Sequence, residues 1–352
     1  MTSRADESVL ELPPSQVPDP ASAPPLRWGV VSPGHIADQF TATVHRATAS
    51  RVVAVTSRSA QRAQDFARKH GIDAAYDDLG AMLAAGGLDA VYIASPMAQH
   101  HAMARQALEA DVPVLLEKAF TLNAAEAEDL VGLARERGLF LMEALWARFL
   151  PQFDVLRQVL ASGIIGDVVM VQADHGQAFP EDPSHRLHAP ELGGGALLDL
   201  GVYPVSFAQL VLGDLQDLAA IGEQTSLGVD ASVAMVARGA RGGYATLSTT
   251  LRGLTPIEAS VTGTLGRVRL SSAFFAPGEL RVELRDGRCA RFSHPGVPGD
   301  GLVFEAAEAA RCIAAGLRES PLMTWADTIS VMRSLDQARA ALGVVFPGEA
   351  HA

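Results

Sequence analysis

The chain has 352 residues, 48% hydrophobic and 19% charged, a globular composition of a length that suits two domains rather than one. The net charge is −12, from 28 basic and 40 acidic residues, which works against binding a polyanion such as DNA. No apolar run reaches the ~20 residues a membrane span requires, so neither nucleic acid nor a membrane is an expected partner.

Residues 1–25 hold six prolines (Pro13, Pro14, Pro18, Pro20, Pro24, Pro25) and four serines, with no continuous apolar stretch. They read as a disordered tail without the apolar core of a signal peptide. Cys289 and Cys312 stand outside any CxxC spacing, among apolar or small residues. They read as two buried thiols in a reducing cytoplasm, not as a disulfide or metal site.

From Leu26 the pattern changes. Short apolar runs at Trp28–Val31, Val52–Val55, Ala90–Ala94, Val114–Leu116 and Leu139–Met142 predict buried strands. Helical segments lie between them. Ser59 precedes one and Gly71 follows it; Asn123 precedes another, with Glu126 placed for a capping box and Gly138 past the end. Alternating strands and helices predict a parallel, doubly wound sheet over residues 26–145, a Rossmann domain.

In such a sheet ligands bind at the carboxyl ends of the strands. After the first strand comes Ser32-Pro33-Gly34-His35-Ile36-Ala37. It is a degenerate GxGxxA turn with Ser32 in the first glycine place, suited to a dinucleotide pyrophosphate at a helix start. After the second strand, Thr56-Ser57-Arg58-Ser59 carries no acid for a ribose 2′-hydroxyl. Ser57, Arg58 and Arg62 suit a 2′-phosphate instead, which favours NADP over NAD. The third strand is followed by Ser95-Pro96-Met97-Ala98-Gln99-His100-His101, a loop facing the nicotinamide side. The fourth is followed by Glu117-Lys118-Ala119. A lysine here reads either as a surface residue or as a proton donor to a substrate oxygen.

Past Trp146-Ala147-Arg148-Phe149 the alternation stops. A helix over Phe153–Ala161 precedes strand-like segments at Val168–Ala173, Ser232–Ala237, Gly243–Thr250, Ile257–Thr262, Arg267–Ser271, Leu280–Leu284 and Arg288–Phe292. Gly-containing turns between several of them predict a large, mostly antiparallel sheet. Phe304–Gly316 and Trp325–Leu342 read as closing helices. Residues 146–346 are thus expected to form an α+β domain, and the fold class is α/β overall. Within it, Gly193-Gly-Gly precedes an apolar helix carrying Asp199 and Tyr203, four apart and so on one face. They read equally as a proton-handling pair and as a satisfied buried Asp beside a packing Tyr. His185 and His188 flank Arg186 without a third metal ligand nearby, so solvent or substrate contact is expected of them.

Taken together, these residues resemble the Gfo/Idh/MocA oxidoreductase family over Leu26 to about Leu342. The features that carry the resemblance are the Ser32–Ala37 turn, Glu117-Lys118 and Asp199-x-Gly201-x-Tyr203. Trp28-Gly-Val-Val-Ser32, Leu139–Phe149 and Gly194–Tyr203 are similar to the branch of dimeric dihydrodiol dehydrogenases and NADP-dependent D-xylose dehydrogenases. The resemblance implies Lys118 as acid/base, Tyr203 binding or deprotonating the substrate, and Asp199 orienting the substrate or Lys118. It implies Trp146, Arg148 and Arg186 as pocket residues, Arg58 on the 2′-phosphate and His100 near the nicotinamide. It also implies a homodimer joined through the second domain's sheet. Two departures are Ala119 where the family reads Pro after the lysine, and Met97 where it reads Asn.

The expected activity is hydride transfer between NADP(H) and a secondary alcohol or lactol carbon of a sugar, polyol or cyclic diol, with no metal. The competing readings are a non-catalytic NADP(H)-binding regulator and a redox-neutral enzyme with tightly bound cofactor.

Overall fold

The computed structural model describes residues 10–294 and 301–349. Its first sheet is built from β1 (Arg27–Val31), β2 (Arg51–Thr56), β3 (Ala74–Tyr76), β4 (Ala90–Ile93), β5 (Val114–Glu117) and β6 (Leu141–Ala144). All pairings are parallel, in the order β3-β2-β1-β4-β5-β6. Helices α1 (His35–Ala47), α2 (Ala60–His70), α3 (Leu79–Ala85), α4 (His100–Glu109) and α5 (Ala124–Arg137) connect the strands. The central strands read as apolar runs because both faces are covered; β4, β5 and β6 are buried throughout. The order reverses between β1 and β4, so the crevice opens above their carboxyl ends.

Local chemistry places the helices. Ser59 Oγ accepts from the Arg62 amide at 3.4 Å, and Gly71 ends α2 at φ +66°. Asn123 caps α5 and Gly138 ends it at φ +69°. The expected capping box does not close on its own cap: Glu126 Oε2 accepts from the Leu122 amide at 3.1 Å instead.

The second sheet is eight-stranded, in the order β14-β13-β12-β11-β7-β10-β9-β8. Its strands are β7 (Val168–Gly176), β8 (Leu215–Gln224), β9 (Asp230–Gly239), β10 (Tyr244–Thr250), β11 (Ala259–Gly263), β12 (Gly266–Leu270), β13 (Glu279–Leu284) and β14 (Cys289–Ser293). All pairings are antiparallel except β7 with β10. Helix α6 (Pro151–Ala161) leads into this domain. A π-turn (Leu197–Gly201) runs directly into α7 (Val202–Leu212), which packs against β7. Helices α8 (Leu302–Ala314) and α9 (Trp325–Ala341) follow the sheet. The helical stretch Pro190–Leu212 has the length and hydropathy of a membrane span, but 94% of its most apolar 18 residues is buried inside the fold.

Two expectations are corrected. Residues 10–25 are not a free tail. Leu10 and Ala23 are buried, the Gln16 amide donates to Asp154 of α6 at 2.7 Å, and Arg311 of α8 donates to Asp19 O at 2.9 Å. Polar side chains of α6 and α8 satisfy the backbone of a proline-rich segment that has little regular structure to satisfy it. The remainder of that expected tail, residues 1–9, lies outside the described residues. Cys312 is buried, but Cys289 is exposed on the strand β14. The strand β14 closes one end of the sheet, and its odd-numbered positions face outward.

Candidate active site

The carboxyl ends of β1, β2, β4 and β5 line one wall of a cavity of about 970 Å³; Trp146, Arg186, Asp199, Tyr203 and Leu302 line the other. The cofactor turn comes first. Ser32 sits at φ +67°, its amide donating to Thr56 O at 2.9 Å and its carbonyl accepting from Gly34 N at 2.8 Å. A serine thus holds the left-handed conformation that glycine adopts without cost. Gly34 then begins α1 with no side-chain cap, which leaves the first-turn amides of His35, Ile36 and Ala37 for a ligand.

Ser57, Arg58 and Arg62 line the same cavity beyond β2. Arg58 is exposed and forms no hydrogen bond or ion pair with any described residue; Arg62 reaches only Pro33 O, at 3.4 Å. On the β4 side, Ser95 and Pro96 line the cavity, and the buried Ser95 Oγ has no partner among the described residues. Free helix amides, an unpartnered guanidinium and an unpartnered buried hydroxyl, all along one cavity, fit a dinucleotide. When bound there, its nicotinamide supplies the hydride acceptor or donor. Among the described residues no three His, Cys, Asp or Glu are grouped to hold a metal ion.

His100 lines the cavity but is committed elsewhere. Its Nε2 lies 2.9 Å from Ser95 O, and Nδ1 lies 3.0 Å from Ala119 O and 3.2 Å from Phe120 O. Burial pushes its pKa down against the pull of those carbonyls. The ring ties the β4 loop to the β5 loop and offers no free nitrogen.

Lys118 follows β5, in a cis peptide with the fully buried Ala119. Its Nζ donates to the main-chain oxygen of Asp199 at 2.6 Å and lies 3.3 Å from Asp199 Oδ1. Arg186 grips the same carboxylate from the other side, Nη1 to Oδ1 at 3.0 Å and Nη2 to Oδ2 at 3.3 Å. Burial alone raises the Asp199 pKa, but the charges of Lys118 and Arg186 outweigh it and hold the carboxyl at about 2. Asp199 lies on the π-turn, a helix irregularity that recurs at functional sites. The turn is delivered by Gly195 at φ +121°, where a Cβ would come within 2.3 Å of Asp230 Oδ1.

Tyr203 follows on the first turn of α7. Its hydroxyl accepts from Trp146 Nε1 at 3.1 Å, and its ring centroid is 5.0 Å from Lys118 Nζ. Burial and the nearby Glu117 carboxylate raise the Tyr203 pKa well above the ordinary phenol value, so it stands as a neutral O–H. Glu117 is buried at the cavity floor, with Oε1 accepting from the Tyr92 hydroxyl and Oε2 from the Lys118 amide at 3.1 Å.

Two expected roles fail on geometry. Arg148 does not line the cavity; it is 2% exposed and bonds Ser206 Oγ at 2.9 Å and Gln209 Oε1 at 2.6 Å, pinning the Trp146–Phe149 turn to α7. His188 meets neither solvent nor the cavity: it is buried, and neither ring nitrogen has a hydrogen-bond partner among the described residues. Its neighbour His185 packs on Phe179, with ring centroids 5.5 Å apart.

Two further aromatic groups escaped the sequence reading. Phe275 stacks on Tyr203, with centroids 4.2 Å apart and planes at 22°. His175 of β7 packs against both rings, and burial with the Lys118 charge holds its pKa at about 4. The alternation of β7 marks His175 as inward-facing, but nothing local marks its neighbours, which lie in α7 and beyond β12.

A doubly wound sheet whose crevice joins a nucleotide turn to a cavity-facing lysine–aspartate–tyrosine set defines a dinucleotide-dependent oxidoreductase. Residues 26–145 match the oxidoreductase family with an NAD-binding Rossmann fold, and residues 153–269 match the GFO/IDH/MocA C-terminal domain. The chain belongs to the Gfo/Idh/MocA family. It is 36% identical over 334 residues to the trans-1,2-dihydrobenzene-1,2-diol dehydrogenase of Sus scrofa, covering 92% of this chain and 98% of that protein. The Homo sapiens enzyme of that name is also 36% identical, with the same shares covered. Among solved structures, a 3-ketoreductase of Actinomadura kijaniata in complex with NADP and TDP-benzene superposes with a TM-score of 0.79 at 27% identity. That match covers 91% of this chain and 98% of that one. An aldose-aldose oxidoreductase of Caulobacter crescentus shares the fold, with a TM-score of 0.82 at 20% identity over 90% and 97% of the two chains.

Proposed function

We propose that this chain is an NADP-dependent dehydrogenase that oxidises a secondary alcohol or lactol carbon of a cyclic diol, polyol or sugar. The single observation that carries the reading is the position of Lys118. Its ammonium is held on Asp199, facing a cavity that also holds the dinucleotide turn and the neutral Tyr203 hydroxyl. In this reading Lys118 handles the proton of the reacting hydroxyl, and Tyr203 hydrogen-bonds the same oxygen. Trp146 and Tyr203, the latter backed by Phe275, give an apolar wall of rings, which favours a cyclic substrate. The relatives named as dihydrobenzenediol dehydrogenases support that class.

NADP is preferred because Arg58 and Ser57 stand after β2, where an NAD site carries an acid; the 3-ketoreductase neighbour was crystallised with NADP. A cytoplasmic location is proposed from the free cysteines. A homodimer is proposed through the outer face of the second sheet. Val236, Tyr244 and Ile221 are exposed there on three adjacent strands, a patch larger than single scattered apolar residues.

The test is NADP reduction followed by absorbance with a panel of cyclic trans-diols, inositols and aldoses. Turnover with a cyclic diol or sugar supports the reading. NADPH binding without turnover on any of them overturns it.

A further inference from the structure

Behind the cavity lies an acid that the proposed proton transfer does not use. Glu305 is completely buried in the first turn of α8, and neither carboxyl oxygen has a hydrogen-bond partner among the described residues. Leu302, one turn earlier on the same helix face, lines the cavity. Gly301 is pressed against the Trp146 indole, where a Cβ would come within 2.3 Å of the ring, so the start of α8 is fixed against the site.

Two further carboxyls act on Glu305. Glu117 of β5 accepts from the Tyr92 hydroxyl and the Lys118 amide. Glu143 of β6 accepts from the Phe120 amide and Thr328 Oγ1, both at 3.2 Å. Lys118 acts on Glu117 and Arg148 on Glu143, whereas only Glu117 and Glu143, and no cation, act on Glu305; Tyr92 and Tyr203 feel the Glu305 charge in turn. The ionisable groups on neighbouring elements are engaged elsewhere. In α1, Asp38 pairs with Lys69 and His70, His45 accepts from Val52 N, Arg46 donates to Thr43, and His35 contacts Gln39. Arg148, beside α8, bonds Ser206 and Gln209.

A buried carboxylate with no donor, beside the Glu117 carboxyl and a Glu143 carboxyl that burial itself raises to about 7, is strongly disfavoured against its neutral form. Its two neighbours do have donors, so Glu305 is the member best suited to hold a proton. Resting on the dehydrogenase reading, we propose that Glu305 is a positioning residue that stays protonated while the enzyme works, and that loss of its proton sets the alkaline limb of turnover. The step balances simply: the Glu305 carboxyl releases one proton to solvent and leaves an added negative charge behind the cavity. That charge opposes the negative charge that develops on the substrate oxygen beside Tyr203, so alcohol oxidation slows.

The experiment pairs the holoprotein with Glu305→Gln, a neutral isostere, and with Glu305→Leu, which removes the unpartnered group altogether and keeps the site testable should one variant fold poorly. Infrared difference spectra at neutral pH read the carbonyl stretch of protonated carboxyls and need no turnover, so they report on Glu305 even if the substrate reading fails. The expected result is a band in the wild type that both variants lack, together with an alkaline limb of kcat/KM displaced upward by about one pH unit or more in the variants. A band unchanged by the substitutions overturns the proposal, as does an alkaline limb that coincides in wild type and variants.

Discussion

Lys118 Nζ meets Asp199 at the main-chain oxygen, 2.6 Å away, more closely than at the carboxylate, 3.3 Å away. The carbonyl is presented by a π-turn, which re-registers helix hydrogen bonds and turns backbone groups toward a site. The lysine is therefore positioned by backbone, while the carboxylate is shared with Arg186. With the two tasks on different groups, the effect of charge on the lysine can be separated from the effect of position.

Asp199→Asn keeps the main-chain anchor and removes the charge. The expected loss in kcat/KM is about 10²-fold, measured at saturating NADP. The substitution also changes acid stability. The folded pKa of about 2 lies below the ordinary 3.8, so the carboxylate contributes stability above pH ~4, about 2 kcal/mol, and loses it as pH falls through 2. Denaturant midpoints between pH 5 and 2 should fall more steeply in wild type than in Asp199→Asn.

Arg58→Ala should raise the KM for NADP roughly 10- to 100-fold and leave that for NAD unchanged, as expected for lost charge-assisted bonds worth ~1.5–3 kcal/mol. Equal effects on both cofactors would show that Arg58 does not read the 2′-phosphate.

Ser32 occupies φ +67°. Ser32→Gly is expected to change stability by less than about 1 kcal/mol, relief of the left-handed cost offsetting glycine's extra unfolded entropy. Ser32→Val, β-branched at positive φ, should cost about 1–3 kcal/mol and weaken NADPH binding. Thermal melts and fluorescence titration check both.

The paired change Val236→Asp, Tyr244→Asp places charges on the open sheet face without touching the cavity. Sedimentation should show a monomer for the variant and a dimer for the unaltered protein. A dimer persisting in the variant would move the interface elsewhere.

Parts of this architecture were legible from residue order alone because they follow one-dimensional rules. Buried parallel strands read as apolar runs, and ligands gather at their carboxyl ends, so Ser32, Arg58 and Lys118 could be picked out before any fold was known. Strand β3 escaped because three residues make no pattern. Strand β8 escaped because it is a sheet edge, exposed at most positions and therefore lacking clean alternation. Arg148 was misplaced because its neighbour Trp146 lines the cavity, and a 3-10 turn sends adjacent side chains in different directions. Phe275 and His175 were invisible as site residues because their convergence on Tyr203 is a property of the second sheet. The segment 10–25 read as free because its partners, Asp154 and Arg311, lie more than a hundred residues downstream.

The central claim is that Lys118 carries the proton. Lys118→Met retains length and removes the ammonium. Its single-turnover rate of NADP reduction should fall by ~10²–10⁴-fold, with the dissociation constant for NADPH, read by fluorescence, within a few-fold of wild type. A variant that still reduces NADP at close to the wild-type rate would contradict the account.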